Sequence, residues 1–101
     1  MDNKNFTVMI AGVAKLGMEE YVERYLKQLM VHSRQDKGCL VYNIHRSIDN
    51  PSEFMVYMLW QSEEAFEKHN QTSEMQVFKK RLSKEMFEQQ SPKTYWHLID
   101  K

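Results

Sequence analysis

One cysteine, two prolines and three glycines leave this chain with few of the residues that impose unusual architectures. Cys39 has no intrachain partner, so no disulfide framework is available, and one thiolate cannot build a zinc site alone. That usage fits a reducing, cytoplasmic setting. Charge of one sign is missing too: 14 basic residues face 14 acidic ones, which leaves no long-range field to draw in nucleic acid or an anionic membrane. No run of about 18 apolar residues occurs, and the opening stretch MDNKNFTVMIAGVAK lacks a basic segment leading into an apolar one. The expectation is a soluble, unexported protein that binds neither nucleic acid nor membrane. A length of 101 residues suits one domain, 1–101, since a core of that size buries roughly 60–70% of the surface of the unfolded chain.

What is present is a clear succession of periods. Phe6 to Lys15 is rich in Val, Ile, Phe and Thr and stops at Gly17, which predicts a strand and a turn. Met18, Tyr21, Val22, Tyr25, Leu26, Leu29 and Met30 then recur at three- and four-residue spacing, the stripe of an amphipathic helix that Gly38 closes. Leu40, Tyr42, Ile44 and Ile48 alternate with Val41, Asn43, His45 and Ser47 in a second strand, and Asp49 to Ser52 supplies turn chemistry before a third, Phe54 to Trp60. Ser62 followed by Glu63 and Glu64 reads as the cap of a short helix carrying Ala65, Phe66 and His69 on one face. Ser73 with Gln76 resembles a capping box for another helix, whose stripe of Met75, Phe78, Leu82 and Met86 runs to about Gln89. Pro92 precedes a last strand, Thr94 to Ile99.

Strand, helix, strand, strand, helix, strand is the split βαβ order of a ferredoxin-like antiparallel sheet with helices on one face, an α+β fold. Phe54 to Trp60 contains no charge, so both faces of that strand are apolar. Helices cover one face; the other keeps either Phe54, Val56, Met58 and Trp60 or Met55, Tyr57 and Leu59. Buried side chains of this kind contribute about 1.5–3 kcal/mol each, so a wet second face would be costly. The expected cover is a second copy of the chain, giving a homodimer with sheets packed face to face in a barrel-like assembly.

The segment SRQDKGCLVYNIHRSIDNPSEFMVYMLWQSEEAFEKHNQTSEM, Ser33 to Met75, resembles the antibiotic biosynthesis monooxygenase (ABM) family, whose pattern is S-R-x-E-x-G-C, a Tyr, a Pro, an apolar strand ending in Trp, then S-x-E-A and a His. Ser33, Arg34, Gly38, Cys39, Tyr42, Pro51, Trp60, Ser62, Glu64, Ala65 and His69 carry the resemblance. It implies the dimeric α+β barrel and a pocket between sheet and helices for a small aromatic substrate such as a quinol, phenol or anthrone. It also implies oxidation by dioxygen without metal, flavin or haem: the substrate is deprotonated and its anion reacts directly. The chain departs from the pattern at Met58, where relatives often carry Glu. Val56 and Phe66 stand where an anthrone-oxidising member has Asn and Tyr, while His45 and Trp60 match it. Ile10, His69 and Lys79 occupy the positions of the Asn, Trp and His of a haem-degrading branch, so no haem is expected.

The residues themselves support several assignments. Imidazole is the side chain best matched to base chemistry near neutral pH, so His69 and then His45 are the catalytic candidates, the structural alternative for each being a hydrogen-bonded histidine at a core or interface. Trp60, Tyr42, Tyr57, Asn43 and Phe66 are candidate substrate-binding residues that could equally be core. His32, His45, His69 and His97 include no pair at helical ligand spacing, and no metal is expected. Two other function classes remain open: an isomerase of a small metabolite resembling the phosphorylated autoinducer-2 signal, and a non-catalytic ligand-binding dimer.

Overall fold

Alternation along the third strand decides which side of the sheet meets the helices. In the computed structural model, which describes residues 5–99, Phe54, Val56, Met58 and Trp60 are buried beneath the helices, whereas Met55, Tyr57 and Leu59 point the other way and are half-buried. Residues 1–4, part of the stretch expected to carry no export leader, and residues 100–101 lie outside the described residues.

The chain forms β1 (Phe6–Ala14), α1 (Glu19–Arg34), β2 (Cys39–Arg46), β3 (Glu53–Trp60), α2 (Glu63–Asn70), α3 (Ser73–Val77), a π-helical turn (Phe78–Leu82), α4 (Ser83–Met86), β4 (Phe87–Gln90) and β5 (Thr94–Trp96). The sheet order is β2-β3-β1-β4, with β5 also on β1, and every pairing is antiparallel. This is the expected ferredoxin-like arrangement. No helix among the described residues is long and apolar enough to cross a membrane.

Local chemistry explains most boundaries. Glu19 and Glu20 in the first turn of α1 complement its dipole, and Val22, Leu26, Leu29 and Ser33 form its buried stripe. The helix ends into a turn at Gly38, whose φ of +89° only glycine adopts readily, and whose missing side chain lets α2 approach: a Cβ there would lie 2.6 Å from the Ala65 Cβ. The β2–β3 hairpin closes through Ser47 Oγ, which accepts from the Asn50 amide, and Asn50 Oδ1, which accepts from the Ser52 amide. As expected, Ser62 caps α2, accepting from the Ala65 amide at 3.1 Å.

Three boundaries differ from the pattern. The cap of α3 is Thr72 and not Ser73; its hydroxyl accepts from the Met75 amide and donates to the His69 carbonyl at 2.8 Å, so one side chain joins the end of α2 to the start of α3. The stripe starting at Met75 is not one helix to Gln89, because the π-helical turn interrupts it and the backbone becomes extended at Phe87. Glu88 to Gln90 are good helix formers taken singly, but the free edge of β1 offers a ladder that outweighs that propensity. Val13 and Gly12 pair with Gln89 and Gln90, and the ring of Phe87 packs where a Cβ on Gly12 would lie 2.9 Å from it. The last strand is shorter than Thr94 to Ile99: only Thr94 to Trp96 pair, with Met9 to Thr7 of β1.

Packing divides into two clusters. Ala14, Val22, Leu26, Phe54, Leu82, Met86 and Phe87 fill one end, and Val8, Tyr42, Val56, Met58, Trp60 and Phe66 the other. A cavity lined by members of both lies between them.

Candidate active site

Between sheet and helices lies a cavity of about 370 Å³. Its sheet wall is Ile10, Tyr42, Phe54, Val56 and Met58, and its helical wall includes Leu26, Leu29, Phe66, His69, Met75 and Phe78. It has the volume and apolar lining of a site for a small aromatic molecule. The π-helical turn contributes Phe78 and Lys79 to the wall, a deformation of the helix at the point where side chains must face the cavity.

His69 is its chemically distinctive member. Only 1% of it is exposed, and its Nδ1 lies 2.9 Å from Oδ2 of Asp36. A carboxylate can only accept, so the proton belongs on Nδ1 and Nε2 keeps a lone pair. Nε2 is buried with no hydrogen-bond partner among the described residues. Burial pushes the imidazole below its ordinary value; the bond to Asp36 and its charge oppose this, while Lys93 and Lys79 add to it. The ring is therefore neutral near pH 7, the state a general base requires.

The chain places Asp36 there through the turn after α1. The Asp36 amide donates to the Ser33 carbonyl, the Cys39 amide donates to the Asp36 carbonyl, and the Gln61 amide donates to the Gly38 carbonyl at 2.8 Å, tying the turn to the entrance of α2. Behind His69 stands Trp60, fully buried, with ring centroids 4.6 Å apart. Phe66 and Tyr42 flank the imidazole, each with its centroid 6.1 Å away. Burial drives the Tyr42 phenol up to about 12, against a hydrogen bond with Ser33.

Of the residues singled out in the sequence, His69, Tyr42 and Phe66 line the cavity. Trp60 does not; its ring packs against both His69 and Phe66 and supports the imidazole from behind. His45, Asn43 and Tyr57 lie on the opposite face of the sheet. They alternate out of phase with Tyr42 and Val56, and the register pairs His45 with Met55 and Asn43 with Tyr57. Asn43 is engaged there by Arg34, whose Nη2 donates to its Oδ1 at 3.1 Å. Strand parity thus sets the candidates His45, Asn43 and Tyr57 on the face away from the cavity of His69, so none of them can act there within one chain.

Sequence reasoning passed over Asp36, Lys79 as a cavity residue, and Lys93. Asp36 had a signal: it stands at the acidic position of S-R-x-E-x-G-C, three residues before Cys39. The lysines come from different elements, and no local pattern joins them. Among the described residues no cluster of three His, Cys, Asp or Glu side chains is placed to hold a metal.

The family model of the antibiotic biosynthesis monooxygenases matches residues 5–81, which include every strand and helix bordering His69 up to the π-helical turn. The chain belongs to the ABM family. No curated protein matches it in sequence. Solved structures reproduce the fold of this ABM chain throughout: a protein from Shewanella oneidensis aligns with a TM-score of 0.90 at 20% identity, covering 96% of this chain and 93% of its own. One from Pseudomonas aeruginosa gives 0.86 at 23% identity, covering 96% of each chain. A third, from Nitrosomonas europaea and described as a candidate antibiotic biosynthesis monooxygenase, gives 0.86 at 14% identity over 98% of this chain and 94% of that one. At such identities the likeness concerns the fold.

Proposed function

We propose that this ABM protein is a cofactor-independent monooxygenase that oxidises a small quinol, phenol or anthrone-like molecule with dioxygen, working as a cytoplasmic homodimer. The observation that carries the reading is the Asp36–His69 pair on the wall of an apolar cavity, with Nε2 of His69 left without a partner. Nε2 takes the acidic proton of the substrate while Asp36 holds the tautomer and balances the imidazolium that results. The anion is electron-rich enough to react with dioxygen directly. A ring C–H or CH₂ becomes C=O, one oxygen atom enters the product, the other leaves as water, and all electrons come from the substrate. The apolar walls exclude water from the anion.

Dimerisation is supported by the outer sheet face, where Met9, Val41, Met55, Tyr57 and Leu59 form an apolar surface with no helix over it. Oxygen uptake tests the activity: addition of quinols and anthrones should draw down dissolved oxygen with the native protein and not with His69→Ala. Uptake equal in the two proteins, or a substrate altered with no oxygen consumed, would overturn the reading, the second result pointing to an isomerase.

A further inference from the structure

The cavity of a chain with equal numbers of acidic and basic residues would be expected to show both signs of charge or neither. It shows one. Among the described residues Lys79 and Lys93 are the only charged side chains on its wall, and no Asp or Glu lines it. Lys79 is exposed and Lys93 half-buried, so the pair marks the place where the cavity opens to solvent. Neither forms an ion pair within 4.0 Å among the described residues, although exposed lysines elsewhere, such as Lys27 and Lys68, pair with glutamates one turn away. The ammonium of Lys93 lies over the ring of Phe66, 5.6 Å from its centroid, in a cation–π contact that holds the charge at the cavity. Gln90 and Ser91 complete a polar segment of wall opposite the apolar interior.

Holding two like charges beside a neutral imidazole is unfavourable without an occupant. Burial and the charge of Lys79 both push Lys93 below its ordinary value, the charge of Glu67 offsetting them only in part, and both lysines push His69 down. An anion between them would offset the repulsion between the two lysines and their joint effect on His69, and charge-assisted hydrogen bonds from ammonium to carboxylate are roughly twice as strong as neutral ones. The family match stops at residue 81, so Lys93 and the partnership it makes with Lys79 lie partly outside the shared region.

We propose that Lys79 and Lys93 form an anion-binding subsite, and that the ligand of this cavity is an aromatic carboxylate whose ring system fills the apolar interior while its acid group is held by the two ammonium groups. This deepens the oxygenase reading, on which it rests for treating the cavity as a substrate site. The subsite orients the ring toward His69 and, by its positive potential, favours the anion that forms when His69 removes a proton.

Calorimetric titration with 2-naphthoate and its neutral counterpart 2-naphthylmethanol tests the subsite. Neither probe is a quinol, so the result does not depend on oxygen chemistry. The acid should bind at least about tenfold more tightly than the alcohol, with the gap narrowing as salt is raised. In Lys79→Met and Lys93→Met, which keep an apolar stem, the preference should shrink, and in the double variant it should vanish while the alcohol still binds; Lys79→Arg and Lys93→Arg should retain it. Thermal melts of each variant separate loss of the subsite from loss of the fold. Equal affinities in the native protein, binding of neither probe, or a preference unchanged in a folded double Met variant would overturn the proposal. A preserved preference with no oxygen uptake from any quinol would remove the oxygenase reading and leave the subsite standing.

Discussion

Oδ2 of Asp36 lies 2.9 Å from Nδ1 of His69, joining the turn after α1 to the last turn of α2 across 33 residues of sequence. The pair fixes the tautomer that leaves Nε2 basic. Because Asp36 acts through the imidazole, it is a positioning residue, and its removal should have a distinct signature. His69→Ala should lower kcat by on the order of 10²–10⁴-fold, and Asp36→Asn by about tenfold or more. Asparagine keeps an acceptor but loses the charge that raises the His69 value, so the acid limb of the pH–rate profile should move to lower pH in Asp36→Asn. An unmoved limb would show that Asp36 does not set the basicity of His69.

The buried Tyr42 phenol, raised from 10.0 to about 12, makes the fold sensitive to alkali. Its folded value lies above the unfolded one, so its contribution is fully present below pH 10 and is lost as pH rises through about 12. The loss amounts to roughly 3 kcal/mol, taking about 1.36 kcal/mol for each pH unit of the shift. Urea midpoints should therefore fall between pH 10 and 12 in the native protein and be flatter in Tyr42→Phe, which below pH 10 should be weaker by about 1 kcal/mol for the lost hydrogen bond. Parallel pH curves for the two proteins would refute this.

Gly38→Ala should destabilise the protein by about 2–4 kcal/mol, combining a disfavoured positive φ with a collision against Ala65. The same change pushes the Asp36 turn away from α2, so activity should fall even at temperatures where the variant is folded. A denaturation midpoint within error of the native one would contradict the packing described for this turn.

Tyr57 occupies the centre of the outer apolar face, between Met9 and Asn43. A lysine there would set a charge in the middle of a face-to-face sheet contact while leaving the cavity side untouched. Sedimentation equilibrium should give a dimer for the native chain and a monomer for Tyr57→Lys. A native monomer at micromolar concentration would remove the homodimer.

The parts of this fold that were legible are those encoded by short-range period. The stripe from Val22 to Leu29, the uncharged run Phe54 to Trp60 and the Ser62 cap each predict their element because the interactions that form it lie within one turn or one strand. Phe87 to Gln90 was illegible for the opposite reason: its strand exists only because β1 has an open edge and Gly12 leaves room for a ring.

From the sequence alone followed the α+β order of elements, two apolar faces on β3 and the importance of His69 within the family pattern. Only the tertiary structure decided that Tyr42 and Phe66 line the cavity with His69, that His45, Asn43 and Tyr57 do not, that Asp36 meets the imidazole, and that Lys79 and Lys93 share its cavity. A strand's period of two is satisfied equally by either choice of inner face, and electrostatic partners far apart along the chain become neighbours only when packing selects one of those choices.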